Sequence, residues 1–405
     1  MRTDYLSARD AADRLGISLS TLYAYVSRGK VDSRPGADGR SREYLADDVE
    51  RLIERRQAGR GAAQGAAHSL TWGLPVLETR ISLIRPHGHY YRGHSAIELA
   101  RSGVSLEDVS RLLWACGDHD PFATPPPSAW PAVVQAVLRQ RGLPALDRTA
   151  AALPLLALSA PHAHSTDPRQ RRESAARLLR ETAALLCAGR PGARPVHQSI
   201  AASWRADDAR VPALLRSALV LCADHELNAS AFATRVAAST GASLHAAAGA
   251  GLAALSGPQH GGAAARAHAL IRHALRERHP DACVRERLRH GDELPGFGHP
   301  LYPDGDPRAA LLLELLAESR PRLPGMARVQ RLVDAAAARC GRAPSLDFAL
   351  AAIAVLHGQD EDAALSLFAA GRMAGWLAHA LEQQETGGLI RPRAHYAGTM
   401  PERPR

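Results

Sequence analysis

The chain is 405 residues long, 46% hydrophobic but only 4% aromatic, with a formal charge of +9, which allows two or three domains around a core of Ala, Leu and Val. Arginines interrupt every apolar stretch before it reaches membrane-spanning length, and Arg9, Asp10, Asp13 and Arg14 break any signal-peptide core, so no membrane association and a cytoplasmic location are expected. Five scattered cysteines (Cys116, Cys187, Cys222, Cys283, Cys340) without C-x-x-C spacing read as reduced thiols. The positive charge is carried almost wholly by arginine, Lys30 being the only lysine. It permits a polyanion such as DNA or coenzyme A without requiring one. Abundant Ala and Leu, the best helix formers, with few alternating β-branched runs, predict an all-α protein.

In chain order, Ser7 to Leu15 reads as a short amphipathic helix with a serine N-cap, and Gly16-Ile17-Ser18 supplies a turn. A second helix begins at Ser20-Thr21-Leu22 and ends near Gly29. Val31 to Tyr44, with Pro35-Gly36 and Asp38-Gly39 inside, reads as a β-hairpin wing carrying Arg34, Arg40 and Arg42, and Leu45 to Arg56 as a third helix. Helix, tight turn, helix and basic hairpin form a helix-turn-helix arrangement. It resembles the winged helix-turn-helix of the MerR and excisionase type, giving a domain over residues 1–57. On that reading Ser18, Thr21, Tyr23 and Tyr25 face a major groove while Arg28, Lys30, Arg40 and Arg42 touch phosphates. The alternative is a docking or dimerisation module, since Asp47, Asp48 and Glu50 dilute the basic face.

Residues 58–70 are mostly small, without a hydrophobic face, and read as a flexible linker. The next unit spans 71–405. Leu77 to Ile84 alternates enough for a strand, with Tyr90 to His94 as its hairpin partner. From Ala96 the pattern is helical nearly to the end, interrupted by the Pro125-Pro126-Pro127 loop and the Ala160 to Pro168 loop.

Three glycine-framed or helix-start segments carry chemistry. His260 stands in Ser256-Gly257-Pro258-Gln259-His260-Gly261-Gly262, His299 in Pro295-Gly296-Phe297-Gly298-His299-Pro300, and Asp347 in Ser345-Leu346-Asp347-Phe348. Two imidazole donors and one carboxylate base suit enolisation of a thioester and its addition to a ketone. A helix N-terminus disfavours the His260 cation, and the neutral ring still donates one hydrogen bond. Asp224-His225-Glu226 is expected on an otherwise apolar buried helix, where a charged triplet needs partners; it is either a satisfied core network or part of a site. Arg308, Arg372 and Arg391 lie among short or apolar neighbours, where guanidinium forks suit carboxylates. No metal is implied: His87, His89 and His94 are irregularly spaced and loop-bound.

These segments, with Glu78-Thr79-Arg80-Ile81-Ser82, Tyr91-Arg92-Gly93, the run Ala223 to Phe232, Asp306-Pro307-Arg308, Gly371 to His379 and Ile390-Arg391-Pro392-Arg393, resemble the citrate synthase family, in the right order from about Leu74 to the end. The resemblance implies an all-α homodimer with a large domain and a hinged small domain over roughly residues 262–357. It implies that His260 bonds the thioester carbonyl while Asp347 removes the α-proton, and that His299 polarises the ketone of oxaloacetate. His225, Arg308 and Arg372 would grip its carboxylates, with Arg391, or less favourably Arg393, reaching over from a partner subunit. Citrate and coenzyme A would be the products in the tricarboxylic acid cycle, with acetyl-CoA as substrate and no tightly bound cofactor. Two departures bear on coenzyme A affinity and acyl preference. Pro300-Leu301-Tyr302-Pro303 stands for the usual Arg-Val-Tyr-Lys, and Ala263-Ala264-Ala265 for Ala-Asn-Glu. Condensation of propionyl-CoA to 2-methylcitrate is the near alternative, because one methylene is worth only about 1–3 kcal/mol. A DNA-binding regulator that senses oxaloacetate or acyl-CoA through the same fold, or a weakly active partner of another synthase subunit, are the others.

Overall fold

The computed structural model describes residues 5–28, 30–36, 41–46, 48–49, 52–53, 77–85, 88–140, 142–187, 189–206, 208–319, 324–393 and 398–399. The chain divides into two compact units, Met1–Glu78 with Pro392–Arg405, and Thr79–Arg391. The expected linker at 58–70 lies outside the described residues.

In the first unit, β1 (Tyr5–Ser7) leads into α1 (Ala8–Leu15), α2 (Leu19–Ser27), β2 (Ser33–Pro35) and β3 (Arg42–Leu45). The Ser7 hydroxyl accepts the Asp10 amide and starts α1, and Gly16, at φ +60, ends it. Ser18 caps α2 in the same way through the Thr21 amide. The wing is not a two-stranded hairpin alone. β3 is the middle strand of the order β1-β3-β2, because Tyr5 to Ser7 pairs antiparallel with Glu43 to Leu45. Leu15, Leu22, Val31, Tyr44, Val49 and Leu52 bury against one another as its core. Residues 46, 48, 49, 52 and 53 are helical, within the span expected for the third helix.

The second unit opens on an antiparallel sheet of β4 (Ser82–Arg85), β5 (Gly88–Tyr91) and β6 (His94–Ser95). The strand expected from Leu77 begins only at Ser82. Upstream, the Thr79 hydroxyl and Arg80 amide both donate to Glu382, at 2.8 Å each, instead of joining a ladder. Helices follow: α3 (Ala96–Ser102), α4 (Leu106–Leu113), α5 (Ala132–Leu138), α6 (Ala145–Ala157), α7 (Pro168–Leu186), α8 (Val196–Ser203), α9 (Val211–Cys222), α10 (Ala229–Ser239), α11 (Leu244–Leu255), α12 (Gly262–Arg276), α13 (Pro280–His290), α14 (Pro307–Ser319), α15 (Met326–Cys340), α16 (Leu346–Leu356) and α17 (Glu361–Thr386). The all-α expectation therefore holds, with strands among the described residues confined to two small sheets. Among the described residues no helix is long and apolar enough to cross a membrane.

The core is organised on α17, whose residues from Ala369 to Leu381 are continuously buried. Helices α7, α9, α10, α11, α12 and α16 pack on it. Such a crowded helix needs small residues where backbones meet. A Cβ built on Gly371 would stand 2.6 Å from the Cys222 Cβ and 2.7 Å from the Leu219 carbonyl oxygen, and one on Gly375 would run into the Ala223 carbonyl and the Asp224 carboxylate. This close approach fixes the end of α9, and with it the turn that carries Asp224 and His225. Overpacking of a rigid interior costs about 1–3 kcal/mol. Gly371→Ala should lose at least that much stability in urea denaturation, and an unchanged midpoint would contradict the packing described.

Candidate active site

The His299 turn and the start of α16 are held together by backbone. The Gly298 amide donates to the Ala343 carbonyl and the Ser345 amide to the Gly296 carbonyl, both at 2.8 Å, with an isolated bridge between Phe297 and Pro344. Gly296 and Gly298 sit at φ +81 and +80, and a Cβ on Gly296 would meet Phe348 at 2.9 Å and Ala267 at 3.0 Å. Only glycine fits that conformation and that space. His299 thus leaves one strand of this clasp and Asp347 the other. Asp306 closes it from a third side: its Oδ2 accepts the Leu346 amide at 3.0 Å, while the Arg308 Nε and Nη2 donate to its two oxygens at 2.9 and 2.8 Å. Both side chains of this pair are buried.

His225 comes from a different direction. The Asp224-His225-Glu226 triplet expected on a helix occupies instead the turn between α9 and α10. Asp224 Oδ2 accepts the Glu226 amide at 3.0 Å, the Ser82 hydroxyl bonds both, and Glu226 adopts φ +54. Side chain-to-backbone bonds of this kind compete with helix formation. Asp224 also lies 3.2 Å from His379 Nε2, and Arg235 bridges His379 and Glu382 behind it. From this braced turn His225 Nε2 reaches the Tyr302 hydroxyl at 3.1 Å. Its ring meets that of His299 edge-on, with centroids 5.3 Å apart, and His299 lies 5.0 Å from Tyr302.

His260 ends the turn after α11 and immediately precedes Gly261 and α12. Its Nε2 is 2.8 Å from the Ser230 hydroxyl, which in turn is 2.8 Å from Asn228 Oδ1, the N-cap of α10. The His260 ring faces Phe368 at 6.4 Å, and Arg372 lies over the same phenyl ring at 4.7 Å. Arg372 is buried and donates Nε to the Cys222 carbonyl at 2.8 Å. Helix α12 packs along α16, whose first turn carries Asp347.

Burial is the main influence on His225, His260 and His299, and the buried guanidiniums add to it. His260 is lowered to about 4, by burial and then Arg372. His299 is also lowered to about 4, by burial and then Arg308. His225 falls well below the usual value for the same reasons. All three are therefore neutral near pH 7. His299 Nδ1 accepts the Leu301 amide at 3.2 Å, which leaves the ring proton on Nε2. Asp347 is raised, by burial first, with Arg308 opposing. Burial also pushes Tyr302 up to about 12. Burial alone would raise Asp224, but His379, Arg372 and Ser82 outweigh it and hold that carboxyl at about 2.

Of the residues singled out by sequence, His225 and His299 share Tyr302 and touch each other. Asp306, paired with Arg308, holds the amide of Leu346 next to Asp347, and His260 and Arg372 share Phe368. The Arg308 fork, expected to be open for a carboxylate, already chelates Asp306. Arg391 and Arg393 are exposed. Sequence alone gives no role to Ser230, Tyr302, Asp306 or Phe368, although Tyr302 stands in the Pro300 to Pro303 segment and Asp306 in Asp306-Pro307-Arg308. His89 is on a strand rather than in a loop and is fully buried; His87 lies outside the described residues. Among the described residues no cluster of His, Cys, Asp and Glu could hold a metal.

In the helix-turn-helix unit, Tyr23 is 52% exposed, and Arg28, Lys30 and Arg42 are exposed too. Thr21 bonds the capping Ser18, and Tyr25 packs against the core rather than standing out, with Lys30 over its ring at 5.4 Å. Arg34 is engaged by Glu43 and stacked on Tyr5. Arg40 lies outside the described residues.

Residues 69–393 match the family model described as citrate synthase, C-terminal domain, and residues 5–57 match that of a helix-turn-helix domain. The chain is 37% identical over 185 residues to citrate synthase 2 of Bacillus subtilis, covering 45% of this chain and 50% of that one. It is 34% identical over 189 residues to a 2-methylcitrate synthase of Shewanella oneidensis, covering 46% and 50%. The chain spans about half the length of the curated relatives it matches. Citrate synthase of Thermotoga maritima shares the fold with a TM-score of 0.67 at 24% identity, covering 82% of this chain and 96% of that one. A ternary complex of carboxymethyl coenzyme A and oxaloacetate with citrate synthase of Thermoplasma acidophilum matches at 25% identity and a TM-score of 0.67, covering 81% and 95%.

Removing one member of a buried ion pair strands the other and costs about 3–5 kcal/mol. Asp306→Ala should therefore lose about that much stability in urea unfolding, and a loss below about 1 kcal/mol would show that Arg308 does not depend on it.

Proposed function

The chain belongs to the citrate synthase family, and we propose that it condenses an acyl-CoA, acetyl-CoA in the first instance, with oxaloacetate and hydrolyses the product to citrate and coenzyme A. The observation that carries this reading is the clasp of residues 296–298 on 343–345. It ties the turn that carries neutral His299 to the start of the helix that carries Asp347, whose carboxyl is raised. Asp347 takes the α-proton of the acyl group. His260, with Nε2 turned to Ser230, presents its other nitrogen to the thioester carbonyl and stabilises the enolate oxygen. The enolate carbon bonds to the ketone carbon of oxaloacetate while the His299 Nε2–H polarises and protonates that oxygen. Water then cleaves the thioester and frees coenzyme A.

His225, Arg308 and Arg372 are the proposed carboxylate ligands, with the partner subunit's Arg391 completing the site in a homodimer. A small domain over 262–357, hinged on the rest of 71–405, would exclude water on closing. Five unpaired cysteines support a cytoplasmic setting, where the reaction would feed the tricarboxylic acid cycle. Propionyl-CoA is the alternative acyl donor, and the relatives of both names support either. The helix-turn-helix over residues 5–57 supports a second reading, in which that unit binds DNA through Thr21, Tyr23, Arg28, Lys30, Arg40 and Arg42 and the synthase fold reports substrate to it.

Thiol release from acetyl-CoA and propionyl-CoA with oxaloacetate tests the first reading. Turnover is expected, the ratio of the two rates naming the preferred acyl group; no release with either contradicts synthase activity. Asp347→Asn should lower kcat by about 10²–10⁴-fold, the usual contribution of a positioned base, with oxaloacetate affinity kept. Because the base must be ionised, wild-type turnover should fall as pH drops through the raised Asp347 value, with no inflection near 6.5 from the imidazoles. For the second reading, full-length protein should bind duplex DNA with a steep salt dependence, and Lys30→Ala or Arg42→Ala should each reduce that slope by about 1. Affinity indifferent to both would remove those side chains from a DNA interface.

A further inference from the structure

His89 stands in the middle of β5, opposite Ile84, on the same face as Tyr91, whose hydroxyl bonds the Val220 carbonyl at the end of α9. That face looks toward the turn carrying His225. The His89 ring meets Tyr91 edge-on at 4.8 Å and His225 edge-on at 5.3 Å, so His89, His225 and His299 form a row of three edge-to-face imidazoles. His89 has no exposed surface, and neither of its ring nitrogens has a hydrogen-bond partner. A neutral imidazole carries one N–H and one acceptor nitrogen, and buried polar groups almost always find partners in protein, water or ligand. The charged groups acting on this ring are Arg308, Arg372, Asp224 and Asp306. Asp224 and Asp306 are engaged elsewhere, in the braced turn and in the Arg308 pair. The two guanidiniums disfavour a metal ion or an imidazolium in that place and favour an anion or another acceptor.

We propose that His89 is a specificity-determining residue of the oxaloacetate pocket, donating a hydrogen bond from its buried imidazole to the dicarboxylate held by Arg308, Arg372 and His225. The assignment rests on the synthase reading above. Burial, followed by Arg308, lowers its pKa to about 3, so the donor is a neutral N–H at any working pH. A purely structural His89 behaves differently: leucine, similar in size and without polar atoms, would then leave substrate binding untouched and relieve two unpaired nitrogens.

Oxaloacetate binding by calorimetry and thiol-release kinetics on full-length His89→Leu, His89→Asn and His89→Gln separate these. His89→Leu should raise both Kd and KM for oxaloacetate at least tenfold while KM for acetyl-CoA stays within threefold. One of the two amide variants, which keep an N–H at different reach, should return to within threefold of wild type. Wild-type affinity in His89→Leu overturns the proposal. Where His89→Leu fails to fold, the amide pair decides: a tenfold difference between them supports a directed donor, and equal affinities overturn it. Wild-type protein that binds oxaloacetate without thiol release refutes the synthase reading alone, since Kd still reports on His89; wild-type protein that binds no oxaloacetate refutes both.

Discussion

Two guanidinium groups held out of water beside neutral imidazoles are the constraint on which the rest of the site depends. Arg308 and Arg372 are both almost fully buried, and a buried cation is tolerated only with strong compensation. Asp306 supplies it for Arg308, and the Cys222 carbonyl and the Phe368 face supply part of it for Arg372. The burial around them, and after it their fields, keep His225, His260 and His299 unprotonated. A neutral imidazole that donates one hydrogen bond is the group wanted at a developing oxyanion, since it needs no proton from solvent at the moment of reaction. On the function proposed above, the same positive field would suit a dianionic substrate, and electrostatics and burial would set the substrate charge and the imidazole tautomers together.

Asp306 has an organising role beyond its charge. It bonds Arg308, caps the approach to α14 and accepts the amide of Leu346. One carboxylate therefore ties the arginine to the start of α16, which the backbone clasp joins to the His299 turn. On the far side, Ser82, Asp224, His379, Arg235 and Glu382 make a second network that fixes the His225 turn against β4 and α17. The site is held between these two polar assemblies, and the small residues of α17 allow them to approach.

Much of this was legible in the chain. Gly296 and Gly298 announced a turn that only glycine can make, and the serine cap of α1 marked a helix start. What escaped is governed by long-range partners. The early end of α9 follows from Ser82, 142 positions away from Asp224, and the late start of β4 from Glu382, some 300 positions from Thr79 and Arg80. Local pattern carries neither. His89 was invisible for the opposite reason: among irregular histidines in a short hairpin, only burial and its missing partners distinguish it. The third strand of the N-terminal sheet was missed because Tyr5 to Ser7 is too short to show periodicity.

The protonation state of the site histidines is the most direct test. In full-length protein labelled with ¹⁵N-histidine, nuclear magnetic resonance should show His225, His260 and His299 as neutral imidazoles from pH 7 down to about 5, with no titration near the ordinary value of about 6.5. Imidazolium signals from His225 and His299 at pH 6 would contradict the account, because those rings would then sit in water rather than in a dry, cation-lined pocket.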